Sequence, residues 1–381
     1  MPSITSITLE DPARAESVRA CLLELGLIEG FRGDAFGALL EQFGSLDRIA
    51  ATPRRRLADA LPPALAERVR QGASRDAQAA AAAWEILPGR VRLTPADADY
   101  PVSLGALPQP PPVLWVMGLP HLLAHPALAV VGSRRATPQG LNDARAFSRH
   151  LAQAGLTIVS GLAEGIDGAA HEGALDTLGS TVAVLAHGLD RIFPPMHREL
   201  AHRIAGQGAL VSEYPLGTPA LRHHFPERNR LISGLSLGVL VVEATLGSGS
   251  LITARSAMEQ GREVMALPAS IHAALGKGCN QLIREGACLV ESAEHVWSQL
   301  AAGLAAFKVH RPSPQAAVEV FDSSDPVLSM LQSAPADVDQ IASAIGLTAA
   351  QVSSILGREE LKQRVARLPD GRYQRVASTP E

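Results

Sequence analysis

Aromatic residues are scarce, at 4% of the chain, so any core in this protein must be filled by aliphatic side chains and alanine. Cysteine is scarcer. Cys21, Cys279 and Cys288 are odd in number and share no zinc-ligand spacing, which argues against a zinc module and suits reduced thiols in a cytoplasmic protein. There is no excess of positive charge either. A net charge of -4 excludes a uniformly basic DNA coat, so any nucleic-acid site has to be a local basic patch. No apolar run approaches the length of a bilayer span, and no membrane association is expected. The opening MPSITSITLEDPARAESV lacks the basic and apolar regions of a signal peptide.

What is present suits packed globular domains: 381 residues, 46% hydrophobic and 19% charged, with room for two or three units. Residues 1–75 read as a small helical domain, in which Phe36, Leu39, Leu40 and Phe43 share a helical face closed by Gly44. An alanine-rich helix around 77–84 leads onward. From 88 to 300 short aliphatic runs alternate with helical patterns: LAVVGS (128–133), LTIVSG (156–161), TVAVLA (181–186), ALVSE (209–213), GVLVVEA (238–244), EVMALPA (263–269) and CLVES (288–292). Near-continuous aliphatic strands separated by helices predict an α/β, Rossmann-like, doubly wound parallel sheet. Residues 301–320, with their prolines and alanines, read as a linker. The segment 321–381 predicts a winged helix: a helix on Val338, Ile341 and Ile345, a turn at Gly346, a second helix capped by Thr348, then two strands around Pro369-Asp370-Gly371.

Ligands of such sheets bind beyond the carboxyl ends of the strands, so the loops there carry the functional candidates. The first candidate strand is followed by Gly132, Ser133 and Arg134, with Thr137-Pro138 opening a helix, which predicts an anion site built from backbone N–H groups and a guanidinium. Only one glycine stands there, so the dinucleotide fingerprint is missing and no nicotinamide-type cofactor is expected. After the second strand, Ser160, Gly161, Gly165 and Asp167 form a tight loop in which the aspartate reads as a helix cap. His171 lies four residues on and reads as packing rather than acid–base chemistry. The basic stretch 222–230 sets Phe225 among Arg222, Arg228, Asn229 and Arg230, a mixture suited to gripping phosphates while stacking a base, on a loop before an apolar helix. After the fifth strand, Ser248, Gly249 and Ser250 make a second phosphate nest, without the Gly-Lys of a P-loop. A G-x-S-x-G elbow is also absent, and no catalytic residue or metal site is expected.

Taken in order, VVGSR (130–134), SGLAEGIDGAAH (160–171), SEYPLGT (212–218), FPERNRLISGLS (225–236), VVEATLGSGSLITA (241–254) and GCNQLIREGA (278–287) closely resemble the DNA-processing protein A (DprA/Smf) family. The resemblance implies a non-enzymatic recombination mediator that binds and protects incoming single-stranded DNA and loads RecA recombinase during natural transformation. It also implies a homodimer through the Rossmann-like domain, with an apolar sheet edge near 282–296 suited to pairing. Flanking sterile-alpha-motif-like or helix-hairpin-helix-like and winged-helix domains are likewise implied. The chain departs from the family at His197, where asparagine is usual, at Pro268-Ala269, where Pro-Gly is usual, in the loop SIHAALGKGCN, and in GLIEGFRG, which lacks a G-I-G hairpin. A different reading is a Rossmann-like, nucleoside-monophosphate-cleaving enzyme of the lysine-decarboxylase-like group. That group's P-G-G-x-G-T-x-x-E segment is missing, and Glu243 and Glu259 lack its spacing. A winged-helix regulator is a third reading, against which stands a recognition helix offering outward only Ser353, Ser354 and Arg358.

Overall fold

The structure is a computed structural model, and it describes residues 11–305, 307, 326–331, 335–362 and 364–376. Strands β1 (Arg90–Leu93), β2 (Leu114–Gly118), β3 (Ala127–Val131), β4 (Thr157–Ser160), β5 (Thr181–Leu185), β6 (Ala209–Ser212), β7 (Gly238–Val241), β8 (Glu263–Ala266) and β9 (Cys288–Leu289) form one sheet. Their order is β1-β2-β6-β5-β4-β3-β7-β8-β9. From β3 the chain winds outward through β4, β5 and β6 on one side, then returns to place β7, β8 and β9 on the other. The topological switch therefore falls between β3 and β7, whose register pairs Leu128 with Gly238 and Val131 with Val241.

Strands β3 to β7 are buried throughout, which is why they read as near-continuous aliphatic runs. Alternation sends Ala129, Val131, Val159 and Val239 into one core, and Leu128, Val130, Ile158 and Leu240 into the core on the opposite face. Two strands lie outside the sequence expectation: β1 and β2 extend the sheet antiparallel beyond β6, so the sheet is mixed rather than wholly parallel. Trp115 of β2 is buried and meets Trp84 edge-on with ring centroids 5.2 Å apart, which pins the helix Arg75–Glu85 to the sheet.

The edge at β9 is shorter than expected, because only Cys288 and Leu289 pair with β8. Leu282 and Val296, read as an apolar edge, are buried in the domain's own cores, while Leu289 is exposed. The helical N-terminal unit encloses its own core, including Phe36, Leu39 and Leu40, and Gly44 ends that helix at φ +79°. It meets the sheet domain through ion pairs Arg32–Glu227 (3.0 Å) and Arg19–Asp97 (2.9 Å). The linker expected at 301–320 lies largely outside the described residues, and its first four continue the helix Ala293–Leu304.

In the C-terminal unit, helices Val338–Ile345 and Ala349–Leu361 precede strands β10 (Val365–Arg367) and β11 (Tyr373–Arg375), a winged-helix outline. Both helices start at full capping boxes, Asp337 with Gln340 and Thr348 with Gln351. Among the described residues no single helix is long and apolar enough to cross a membrane.

Candidate nucleic-acid interface

The loops beyond β3, β4, β5 and β7 converge at the switch end of the sheet. Gly132 is required there, since a Cβ would stand 2.6 Å from Ile166 and 2.9 Å from the Glu243 carbonyl oxygen. Ser133 is buried, with its N–H donating to the Glu243 carbonyl at 2.7 Å, and Arg134 and Arg135 are exposed. Thr137 caps the helix Pro138–Gln153, its Oγ1 accepting from the Gly140 N–H at 3.0 Å.

Glu243 does something the sequence pattern did not suggest. Its Oε2 accepts from the Thr137 N–H at 2.9 Å and its Oε1 from the Thr137 hydroxyl at 2.6 Å. A Cβ on Gly140 would stand 2.4 Å from its carboxyl carbon. The carboxyl group thus sits at the helix N-terminus, where a Rossmann protein receives a pyrophosphate. Burial lifts its pKa, against the pull of the Thr137 hydrogen bonds. The protein fills that anion position from within.

Beyond β4 the turn is held from beneath. The Ser160 hydroxyl donates to the Val130 carbonyl at 2.6 Å, so this side chain faces the sheet. Asp167 lies in the first turn of the helix Ile166–Ala174 and does not cap it. Its Oδ2 instead accepts from the N–H groups of Gly161 (3.1 Å) and Ala163 (3.4 Å). The turn bends sharply, with Leu162 at φ +57° and Gly165 at φ +77°. His171 is fully buried, and its Nδ1–H donates to Thr181 Oγ1 at 2.7 Å, whose hydroxyl is already donated to the Ile158 carbonyl. Burial drives its pKa down to about 3, with His197 and Arg228 adding to the effect, so the ring stays neutral.

The stretch 222–230 is not a loop. The helix His224–Gly234 begins inside it, because Pro226 falls in a first turn whose N–H groups lack intrahelical partners anyway. This changes what its cations face. Arg228, expected at the surface, is 3% exposed and donates from Nη1 to the Val184 carbonyl at 2.6 Å. Burial lowers its pKa to about 10, opposed by Asp167. Arg230 is also spent internally, on an ion pair with buried Glu213 and a 2.6 Å bond to the Gln109 carbonyl. Asn229 reaches across to the Gly249 carbonyl at 3.3 Å, and Arg222 stays exposed. Ser248 caps the helix Gly249–Glu259 through the Ser250 N–H at 3.3 Å. The two hydroxyls bond at 2.7 Å, and Ser250 is buried while Gly249 is exposed.

Phe225 is half-buried. The Arg134 guanidinium lies over its ring, 5.3 Å from the centroid, and the Phe193 ring stands 5.9 Å away. Phe193, on the loop beyond β5, was not among the sequence candidates; its signal was an apolar side chain at the carboxyl end of a strand. That loop is tied down by His197, whose Nδ1–H donates to the Leu162 carbonyl at 3.0 Å. An asparagine amide donates in the same way, so the departure at this position keeps the chemistry. Among the described residues no group of three or more His, Cys, Asp or Glu is placed to hold a metal ion.

Residues 91–301 match the sequence profile of DNA recombination-mediator protein A. The chain belongs to the DprA family. A second profile, the DprA winged-helix domain, matches residues 311–371. Among relatives, the chain is 51% identical over 214 residues to protein Smf of Escherichia coli, covering 56% of this chain and 57% of that one. It is 37% identical over 363 residues to the putative DNA-processing protein DprA of Mycobacterium tuberculosis, covering 86% and 92%. The crystal structure of Streptococcus pneumoniae DprA superposes with a TM-score of 0.64 at 37% identity, over 75% of this chain and 97% of that one. Helicobacter pylori DNA-processing protein A, whose structure is described for its single-stranded DNA binding mode, superposes with a TM-score of 0.52 at 30% identity, over 56% and 96%.

Proposed function

We propose that this DprA-family chain binds single-stranded DNA at the carboxyl ends of β3, β4, β5 and β7, as a cytoplasmic recombination mediator that protects incoming strands and hands them to RecA during natural transformation. The observation that carries this reading is the exposed Arg134 guanidinium over Phe225, beside the exposed Phe193, at the switch end of the sheet. A cation with aromatic rings is what a strand of phosphates and unpaired bases requires. Arg135 and Arg222, exposed and close in sequence to Arg134 and Phe225, add local positive charge on a chain of net charge -4. Arg228 and Arg230 are not part of the contact surface: they hold its shape. The single-stranded DNA binding described for the H. pylori relative supports the same substrate.

The site acts by binding, without a catalytic step. Glu243 is engaged by Thr137 and His171 is buried, which favours binding over nucleotide cleavage. Dimerisation of the sheet domain is part of the proposal, with exposed Leu289 on the β9 edge as its apolar contact. Sedimentation of the full chain at micromolar concentration should give a dimer, and a strict monomer removes that element. The main test is a titration of labelled single- and double-stranded oligonucleotides run beside a nucleoside-monophosphate hydrolysis assay. Tighter single-strand binding with no hydrolysis supports the proposal. Equal affinities, or turnover, would overturn it.

A further inference from the structure

Two phenylalanines stand at the site, and they are not equivalent. The Arg134 guanidinium covers the Phe225 ring at 5.3 Å, and Phe193 approaches the same ring at an interplanar angle of 56°. Phe225 is thus already partnered by a cation and a second ring. Phe193 keeps 43% of its surface in water, and Met196, three residues along the same loop, keeps 69%. A scattered exposed apolar side chain needs no explanation, but an exposed aromatic ring packed against a cation-capped ring at a sheet's binding end does.

The loop that carries Phe193 is fixed at several points. The Gly188 N–H donates to the Thr218 carbonyl at 3.1 Å, and Asp190 Oδ1 accepts from the Gly217 N–H at 2.9 Å. Leu189 is buried in the core, and His197 bonds to Leu162 on the neighbouring loop. A ring presented by an anchored loop loses little freedom when a flat ligand lies on it.

From this geometry we propose that Phe193 supplies the open face on which an unpaired nucleobase stacks, while Phe225 serves as its pedestal beneath Arg134. The assignment rests on the single-strand reading above and names the residue that discriminates against duplex, which has no free base face. Phe193 would set single-strand preference, and Arg134 would set backbone affinity.

The test uses the full-length protein and an oligothymidylate probe. Trp84, Trp115 and Trp297 are all buried, at 5%, 1% and 4% exposure, so an indole introduced by Phe193→Trp reports largely alone. We expect this variant to bind oligothymidylate with its fluorescence quenched. In Phe193→Ala the ratio of single-strand to duplex affinity should fall about fivefold or more, with the melting temperature held, and Phe193→Tyr should restore it. Should Phe193→Ala fail to fold, the tryptophan and tyrosine variants decide. An unquenched indole in a variant that still binds with wild-type affinity overturns the assignment and leaves the single-strand reading intact. Absence of oligothymidylate binding by the unaltered protein overturns both.

Discussion

The guanidinium of Arg228 lies directly behind Gly161: a Cβ on that glycine would stand 2.0 Å from Nη1. The bare backbone of the β4 loop and the buried cation from a helix far along the chain therefore occupy one shared space. Asp167 completes the arrangement by holding the Gly161 and Ala163 N–H groups. Gly161→Ala should push Arg228 off the Val184 carbonyl and cost about 1–3 kcal/mol of stability through overpacking. Chemical denaturation of the full chain measures this, and a wild-type midpoint would show that the loop and Arg228 adjust freely.

Arg134→Ala removes the guanidinium that lies over Phe225 at the site. Single-strand affinity should drop, and the slope of log affinity against log salt should become shallower by about 0.7, the value for one phosphate contact on a single strand. Titrations over a series of salt concentrations give the slope directly. A weaker affinity with an unchanged slope would mean that Arg134 supports Phe225 without touching phosphate.

His197 tests whether the link between the β4 and β5 loops matters for binding. His197→Asn keeps a donor for the Leu162 carbonyl and should leave single-strand affinity close to wild type. His197→Ala loses the 3.0 Å bond and should cost about 0.5–1.5 kcal/mol, split between stability and affinity. Melting temperatures measured beside oligothymidylate titrations separate the two. Identical behaviour of the asparagine and alanine variants would show that the bond is incidental.

The buried ring of His171 gives the fold an acid-sensitive component. Its pKa lies at about 3 in the folded chain against an ordinary 6.5, chiefly because burial penalises the cation. As pH falls below 6.5 the unfolded chain takes up a proton that the folded chain refuses, so stability is lost between pH 6.5 and 3. The slope approaches about 1.4 kcal/mol per pH unit well below the ordinary value. His171→Asn, which retains a donor for Thr181, should show a shallower loss from pH 6 to pH 4.5 in urea unfolding. Parallel curves for the two proteins would mean that the ring takes up its proton without unfolding.

The strands were readable because β3 to β7 are covered on both faces and so carry no charged residue, with serine and threonine only at their ends. β1 escaped notice because arginines alternate along it. One of them, Arg92, is buried by its ion pair with Glu85 at 2.6 Å and by the Trp115 ring beneath its guanidinium. Pro226 gave the start of the helix His224–Gly234 the look of a loop. The deeper misreading concerns charge. Closely spaced arginines suggest solvent, but Arg228 is buried by partners at Val184 and Asp167, and Arg230 is half-buried against Glu213, none adjacent in sequence. Phe193 was invisible for the same reason, since its significance comes from a ring and a cation that only folding brings near. Glycine positions fared better, because a loop needing bare backbone at Gly132 and Gly161 announces itself locally.

The carboxyl group of Glu243 has a consequence for how any polyanion meets this fold. With that seat taken, a phosphate cannot sink end-on into the crevice between β3 and β7 and must rest on the rim formed by the loop tips. A nucleotide cofactor docks by burying its terminus, whereas a rim accepts a strand broadside, at any point along its length. On the proposed reading, such a rim requires no free DNA end for binding to begin.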